Sequence, residues 1–264
     1  MSKFISIEPI EEKYVREDFI DKRFDTVSTL PLQKIILLFS TPRSGSTYLC
    51  DQIYRGTGLV GHEYFQPYGY IQVLAKRWGC CIDGKINPEK YIQSLIRHRS
   101  RWGNLIINLH GSHLSFFKQF EGFLETVSTN AYHLNRLDIL GQSISYALAL
   151  KDGQWSSFFP NKNPEASVCL AEAFKASKDI TWQNMQINSY CRLRGIMPKP
   201  LMYEEIVQAG ALDAIINDVK NDIAMDEHDV IRAAQQINNS AGVRKQSSEK
   251  KKAISLALSQ EIMG

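Results

Sequence analysis

The chain has 264 residues, 44% of them hydrophobic and 22% charged, enough apolar content to bury the core of one large domain and too much for a disordered or fibrous protein. Its 31 basic and 28 acidic residues leave a formal charge of +3. That balance excludes a nucleic-acid partner held by a general positive field and leaves room only for local basic pockets.

In chain order, residues 1–33 mix charges and end near Pro31, and they are read as an N-terminal extension ahead of a single domain over 34–264. The run Lys34-Ile-Ile-Leu-Leu-Phe39 is continuously apolar and closes at Ser40-Thr41-Pro42, the pattern of a parallel strand buried on both faces. Leu49 and Ile53 lie four apart on a following helix that Gly56 and Gly58 are placed to stop. Further strands are expected at Leu105–Leu109, Tyr132–Leu134 and Pro200–Tyr203. Helices are expected at Asp138–Leu150, Pro164–Ala176, Trp182–Leu193, Glu204–Val219 and Glu227–Ile237. Strands alternating with helices predict an α/β fold, a three-layer parallel sheet flanked by helices. From Asn238 the chain is a basic C-terminal tail carrying Arg244, Lys245, Lys250, Lys251 and Lys252. The cysteines Cys50, Cys80, Cys81, Cys169 and Cys191 include no C-x-x-C pair, so no metal site is expected and they read as reduced thiols. Charges stand where a signal peptide needs an apolar run, and no stretch approaches the roughly 18 to 20 apolar residues of a membrane span. A cytoplasmic protein with no integral membrane segment is expected; a homo-oligomer is left open.

The strongest functional signal is Ser40-Thr-Pro-Arg-Ser-Gly-Ser-Thr47, set between a buried strand and the start of a helix. Small residues there let successive backbone N–H groups converge on an anion, the helix N-terminus adds positive dipole, and Arg43 adds a planar charged fork. The lysine of the nucleotide-triphosphatase loop G-x-x-x-x-G-K-[ST] is missing, which disfavours a metal-dependent kinase.

Together with Thr57-Gly58 and Glu63-Tyr-Phe65, this loop resembles the bacterial sulfotransferases of the trehalose 2-sulfotransferase and lipopolysaccharide sulfotransferase-like type. The resemblance implies a P-loop-like sulfotransferase fold and the sulfate donor 3'-phosphoadenosine 5'-phosphosulfate (PAPS), whose product is adenosine 3',5'-bisphosphate. It implies that Thr41, Pro42, Arg43, Ser44, Gly45, Ser46 and Thr47 hold the 5'-phosphosulfate, with Arg43 as the loop cation. The segment Arg136, Asp138, Gln142, Ser145 and then Asp152-Gly-Gln-Trp155 matches the family's R-x-D-x-x-x-Q-x-x-S and following turn. On that match Arg136 and Ser145 bind the 3'-phosphate at a second anion site some distance from the first, with Ser143 as a substitute for Ser145. Gly195-Ile-Met-Pro198 leading to Tyr203-Glu-Glu-Ile206 resembles a family strand whose tyrosine lies against the adenine. Arg244-Lys245-Gln246 resembles a C-terminal segment that grips the 3'-phosphate.

An acceptor hydroxyl must lose its proton during transfer, so a general base is required. Glu63 matches the glutamate of the family's E-[YF]-F motif, and His110 at the end of Asn108-Leu-His110 is the rival, with His113 a further candidate. The aromatic run Tyr64, Phe65, Tyr68 and Tyr70 suits a sugar ring. The reading is a PAPS-dependent sulfotransferase acting on a carbohydrate or glycolipid hydroxyl. A small-molecule kinase is one alternative. A non-catalytic nucleotide-binding descendant is the other, motivated by Asn108 where relatives carry lysine and by a shortened link from Gly61 to Glu63.

Overall fold

The computed structural model describes residues 4–6, 21–155, 161–208 and 210–223. Its centre is a four-stranded sheet made of β2 (Lys34–Ser40), β5 (Asn104–His110), β6 (Ser128–Asn135) and β7 (Lys199–Met202) in the order β5-β2-β6-β7. All three pairings are parallel, with Lys34 opposite both Asn104 and Ser128. The apolar run at Lys34–Phe39 forms this sheet because both of its faces are covered. Ile35, Leu37 and Phe39 enter one core cluster while Ile36 and Leu38 enter another.

The first cluster is closed by α2 (Tyr70–Arg77), α3 (Pro88–Arg99), the short α4 (Leu114–Phe117) and the end of α6 (Leu170–Arg194). The second is closed by α1 (Ser46–Thr57), α7 (Tyr203–Ile206) and α8 (Ala211–Asp222). Helix, sheet and helix therefore make the expected three layers. A third cluster joins α5 (Ile139–Asp152) to α6 through Ile144, Ala147, Leu148, Ala173 and Ala176.

Beside this core lies a small antiparallel sheet of β1 (Ile5–Ser6), β4 (Lys85–Ile86) and β3 (Cys81–Ile82). Asp83 and Gly84 both take positive φ, 49° and 69°, which is what a two-residue hairpin turn requires. The stretch 21–33 packs on the domain: Phe24 is buried, and Asp25 pairs with Arg77 at 2.7 Å and with the fully buried Arg99 at 3.0 Å.

Several expected boundaries move. The two helices expected at Pro164–Ala176 and Trp182–Leu193 are one 25-residue helix, α6, because nothing between them breaks it and Ala176, Ile180, Gln183 and Ile187 keep one inner face buried. The helix expected at Glu204–Val219 is two, α7 and α8, the second starting after Gly210 at φ 90°. Tyr203 opens α7 rather than ending the strand. Helices α2 and α3 were not foreseen. Glu227–Ile237, Arg244 and Lys245 lie outside the described residues.

Candidate active site

The site lies at the carboxyl end of the parallel sheet, where strand order reverses. From β2 the chain passes to β5 on one side and then to β6 on the other, so the loops after β2 and β6 flank the crevice in which such sheets bind ligands.

After β2 comes the loop Thr41–Gly45. Arg43 has φ 63° and Gly45 has φ 94°, and the Ser44 N–H turns back to the Thr41 carbonyl at 3.2 Å. Two left-handed residues in so short a span aim neighbouring amides inward, as anion-binding loops do. Gly45 caps α1 with no side-chain bond, so the amides of Ser46, Thr47 and Tyr48 have no partner within the helix. The Ser44 hydroxyl is buried and makes no hydrogen bond. A loop with an orphaned hydroxyl and an uncapped helix start is a cradle for an anion.

Helix α5 holds this loop in place. Gln142, buried, donates from Nε2 to Thr41 Oγ1 at 2.9 Å and to the Pro42 carbonyl at 2.8 Å. Three residues on, Ser145 Oγ accepts from Arg43 Nε at 2.9 Å, and Arg43 also donates to the Trp155 carbonyl. Ser143 instead bonds its own helix at the Ile139 carbonyl, so it is Ser145 that serves the loop. Gln142 was legible only as a matched letter; its role as a clamp needed the contact.

The second expected cation stands beside this loop. Arg136, just after β6, reaches the Arg43 carbonyl at 3.5 Å, lies 4.6 Å over the Tyr203 ring and pairs with Asp138 at 3.0 Å. Both guanidinium groups thus share one crevice, because β2 and β6 are adjacent strands ending together. Arg43 is lowered to about 10, first by burial and then by Arg136, with Asp152 and Tyr203 pulling the other way. It stays charged at neutral pH, and a half-buried cation beside a second cation favours an anionic ligand. Tyr203 packs on the loop: a Cβ on Gly45 would come within 2.4 Å of its ring. Glu204 accepts from the amides of Leu137 and Asp138, fixing the Arg136 turn.

One strand away stand the candidate bases. His110 is the register partner of Ser40, the last residue before the loop. His62 forms a parallel bridge to Ile107 and accepts from the Asn108 N–H at 3.0 Å. That bridge is how the short Gly61–Glu63 link delivers Glu63 beside His110. Gly61 permits it by its close approach, since a Cβ would lie 2.9 Å from Ile106. Asn108 accepts from the Ser40 hydroxyl at 2.7 Å and so ties β5 to the start of the loop.

The two rivals for the base, together with His113, form one cluster. Glu63 Oε1 is 3.6 Å from His110 Nε2, and Glu63 Oε2 is 3.8 Å from His113 Nε2. The His110 side chain accepts from the His113 backbone N–H, and His113 Nδ1 accepts from the His110 N–H at 3.3 Å. Because His110 Nε2 has no hydrogen bond, its acceptor is Nδ1 as well. A neutral imidazole accepting at Nδ1 carries its proton on Nε2. Both histidines therefore present an N–H to the carboxylate. Burial holds them neutral: His110 is lowered to about 3, and His113 well below its ordinary value by burial, then by His110 and His62. The same three side chains could converge on a metal ion. Metal-binding histidines, however, donate through the other ring nitrogen, and here that nitrogen faces an N–H donor in both cases.

The aromatic run divides. Tyr64 and Phe65 are fully buried core residues and Tyr70 packs on His62 with centroids 4.5 Å apart, so these three offer no platform. Tyr68 is 66% exposed, and Trp155, 42% exposed, lies 6.0 Å from Tyr146. The five cysteines are free thiols, three of them buried. Among the described residues no helix is long and apolar enough to cross a membrane.

No protein-family profile and no curated protein matches the chain. Solved structures similar to it include a sulfotransferase domain from the olefin synthase of Synechococcus PCC 7002, at 11% identity and a TM-score of 0.42, covering 90% of this chain and 98% of that one. A sulfotransferase domain from the curacin biosynthetic pathway is similar at 11% identity and a TM-score of 0.40, covering 89% and 99%.

Proposed function

We propose that this protein transfers a sulfuryl group from PAPS to a hydroxyl of a carbohydrate or glycolipid acceptor. The observation that carries the reading is the placement, on adjacent strand ends, of a small-residue loop open to an anion and a carboxylate within 4 Å of two neutral histidines. The residues present fit a doubly phosphorylated nucleotide: the orphaned Ser44 hydroxyl, the uncapped start of α1 and the guanidinium groups of Arg43 and Arg136 gather donors and positive charge at one strand end. The loop Thr41–Thr47 would hold the 5' end, and Arg136 with Ser145 the 3'-phosphate. When bound, PAPS supplies an activated sulfuryl group.

The chain's own residues do the rest. The loop amides and Arg43 stabilise negative charge gathering on the departing phosphate, already oriented and at no reorganisation cost. Glu63 takes the acceptor proton at its carboxylate. His110 does not, because its Nδ1 is occupied by the His113 N–H and its Nε2 already bears a proton. The two Nε2–H groups stand 3.6 and 3.8 Å from the carboxylate oxygens, on the side from which they would orient it. Exposed aromatic faces at Tyr68 and Trp155 suit an acceptor ring.

Two measurements test this. Adenosine 3',5'-bisphosphate should raise the melting temperature, ATP with magnesium should not, and Arg136→Ala should abolish the shift. Glu63→Gln should keep that binding and cut sulfuryl transfer by about 10² or more. Stabilisation by ATP and magnesium alone would favour a kinase, and full activity in Glu63→Gln would remove the assigned base.

A further inference from the structure

Helix α6 buries a polar side chain in an apolar row. Between Ile180 and Ile187 on its inner face stands Gln183, 2% exposed. A buried amide costs free energy unless its hydrogen bonds are made, so the partners of Gln183 are the reason for it. Its Oε1 accepts from the Ser112 N–H at 3.4 Å, and its Nε2 donates to Asp179 Oδ2 at 2.9 Å, one turn back on the same helix. The same Asp179 oxygen accepts from the Tyr146 hydroxyl of α5 at 2.8 Å. Burial and then the bond to Asp179 push the Tyr146 phenol up, so it stays a donor.

These bonds have one direction. A carboxylate only accepts and a backbone N–H only donates, so both neighbours of the Gln183 amide demand the same orientation, Nε2 toward Asp179 and Oε1 toward Ser112. Reversed, the amide would set donor against donor and acceptor against acceptor. Ser112 is the middle of the 3-10 turn Gly111–His113 that follows β5. The turn also rests on the α6 backbone, since a Cβ on Gly111 would lie 2.3 Å from the Gln183 carbonyl oxygen. Pinned at Gly111 and Ser112, it holds the residues on either side, His110 and His113, in the exchange of bonds that leaves Nδ1 of each accepting and Nε2 of each protonated toward Glu63.

We propose, on the reading of Glu63 as the base, that Gln183 oriented by Asp179 is a positioning residue for it: the pair fixes the turn, and through the turn the tautomer of both histidines. Tyr146 extends the arrangement to the other half of the site. It follows Ser145, which accepts from Arg43, so consecutive residues of α5 hold the anion loop on one side and the Asp179–Gln183 pair on the other. The loop and the base cluster are thereby held from one helix.

Proton–nitrogen NMR correlation spectra of the histidine rings, taken on the full chain at neutral pH with no substrate, test the proposal. The parent should show His110 and His113 with a protonated Nε2 and a bare Nδ1. Gln183→Met keeps the volume and loses both bonds, and it should turn one or both rings into a mixture of tautomers. Gln183→Glu sets a second carboxylate against Asp179 and should do the same. Adding Asp179→Asn, whose amide returns a donor to that contact and keeps an acceptor for Tyr146, should restore the parent pattern at the parent's net charge. The exchanged pair decides the matter even where Gln183→Met does not fold. In transfer assays Gln183→Met should lower kcat roughly 10²-fold and leave the KM for PAPS in place, the split expected of a group that places the base and touches no substrate. A parent ring pattern kept in both single variants overturns the proposal, and so does a lost pattern that Asp179→Asn fails to bring back. Failure of the PAPS reading shows separately, as a missing melting shift with adenosine 3',5'-bisphosphate in the parent.

Discussion

Acid should unfold this protein through its paired histidines. Burial lowers His110 to about 3, whereas the unfolded chain returns an imidazole to about 6.5. Between those values the unfolded chain binds a proton that the folded chain refuses, so the stability is fully present above about 6.5 and is lost as the pH falls. At about pH 5 the interval crossed is roughly 1.5 pKa units, or about 2 kcal/mol for His110 alone. His113 is pushed the same way by burial, by His110 and by His62. The Glu63 carboxylate, within 4 Å of both rings, opposes the effect by favouring a protonated imidazole, so the pair together should cost nearer 2 than 4 kcal/mol. That is a large part of a domain's usual 5–15 kcal/mol. Urea unfolding followed by tryptophan fluorescence at several pH values reads it directly. His110→Asn keeps an acceptor for the His113 N–H and cannot titrate, so the parent should lose about 1–2 kcal/mol more than the variant between neutral pH and about pH 5. Parallel curves for the two proteins would refute the reasoning, because they would mean that the buried ring is not excluding its proton.

Two further outcomes follow from packing. Asp25→Ala removes the carboxylate that pairs with Arg99, whose side chain has no exposure and whose Nε and Nη1 already lack partners, so a loss of about 3 kcal/mol is expected in denaturant titration. A change under about 0.5 kcal/mol would show that the pair is not what anchors the stretch 21–33 to α3. Gly45→Ala forces a Cβ at φ 94° to within 2.4 Å of the Tyr203 ring, and it should lower stability and weaken adenosine 3',5'-bisphosphate binding together. Unchanged binding, measured by calorimetry, would separate that loop position from the anion cradle.

The elements that were legible are those in which local and global preferences agree. The run Ile35–Phe39 has no polar residue to spare for solvent, so it reads as a strand buried on both faces, and the small residues after it read as a turn. The hairpin at Ile82-Asp83-Gly84-Lys85 carried a readable signal in its Asp-Gly pair, as did α3 in Asn87-Pro88, whose side chain and fixed φ start a helix. The run from Pro164 to Leu193 was misdivided because its exposed face also carries large apolar residues, Phe174, Trp182, Met185 and Leu193, which blurs the helical period.

By itself the chain determined its layers, its anion loop and the shortlist of Glu63, His110, Arg43, Arg136 and Ser145. Only the tertiary structure shows where these side chains stand. That Arg136 shares a crevice with Arg43 depends on β6 lying beside β2, a pairing made across about 90 residues of chain by backbone hydrogen bonds that no side-chain pattern announces. The choice between Glu63 and His110 depends on which ring nitrogen meets a backbone N–H, and that is set by one 3-10 turn at Gly111–His113 packed beneath the sheet edge. Residue types limit which protons can move; the distances that fix where each proton resides exist only after the strands have aligned.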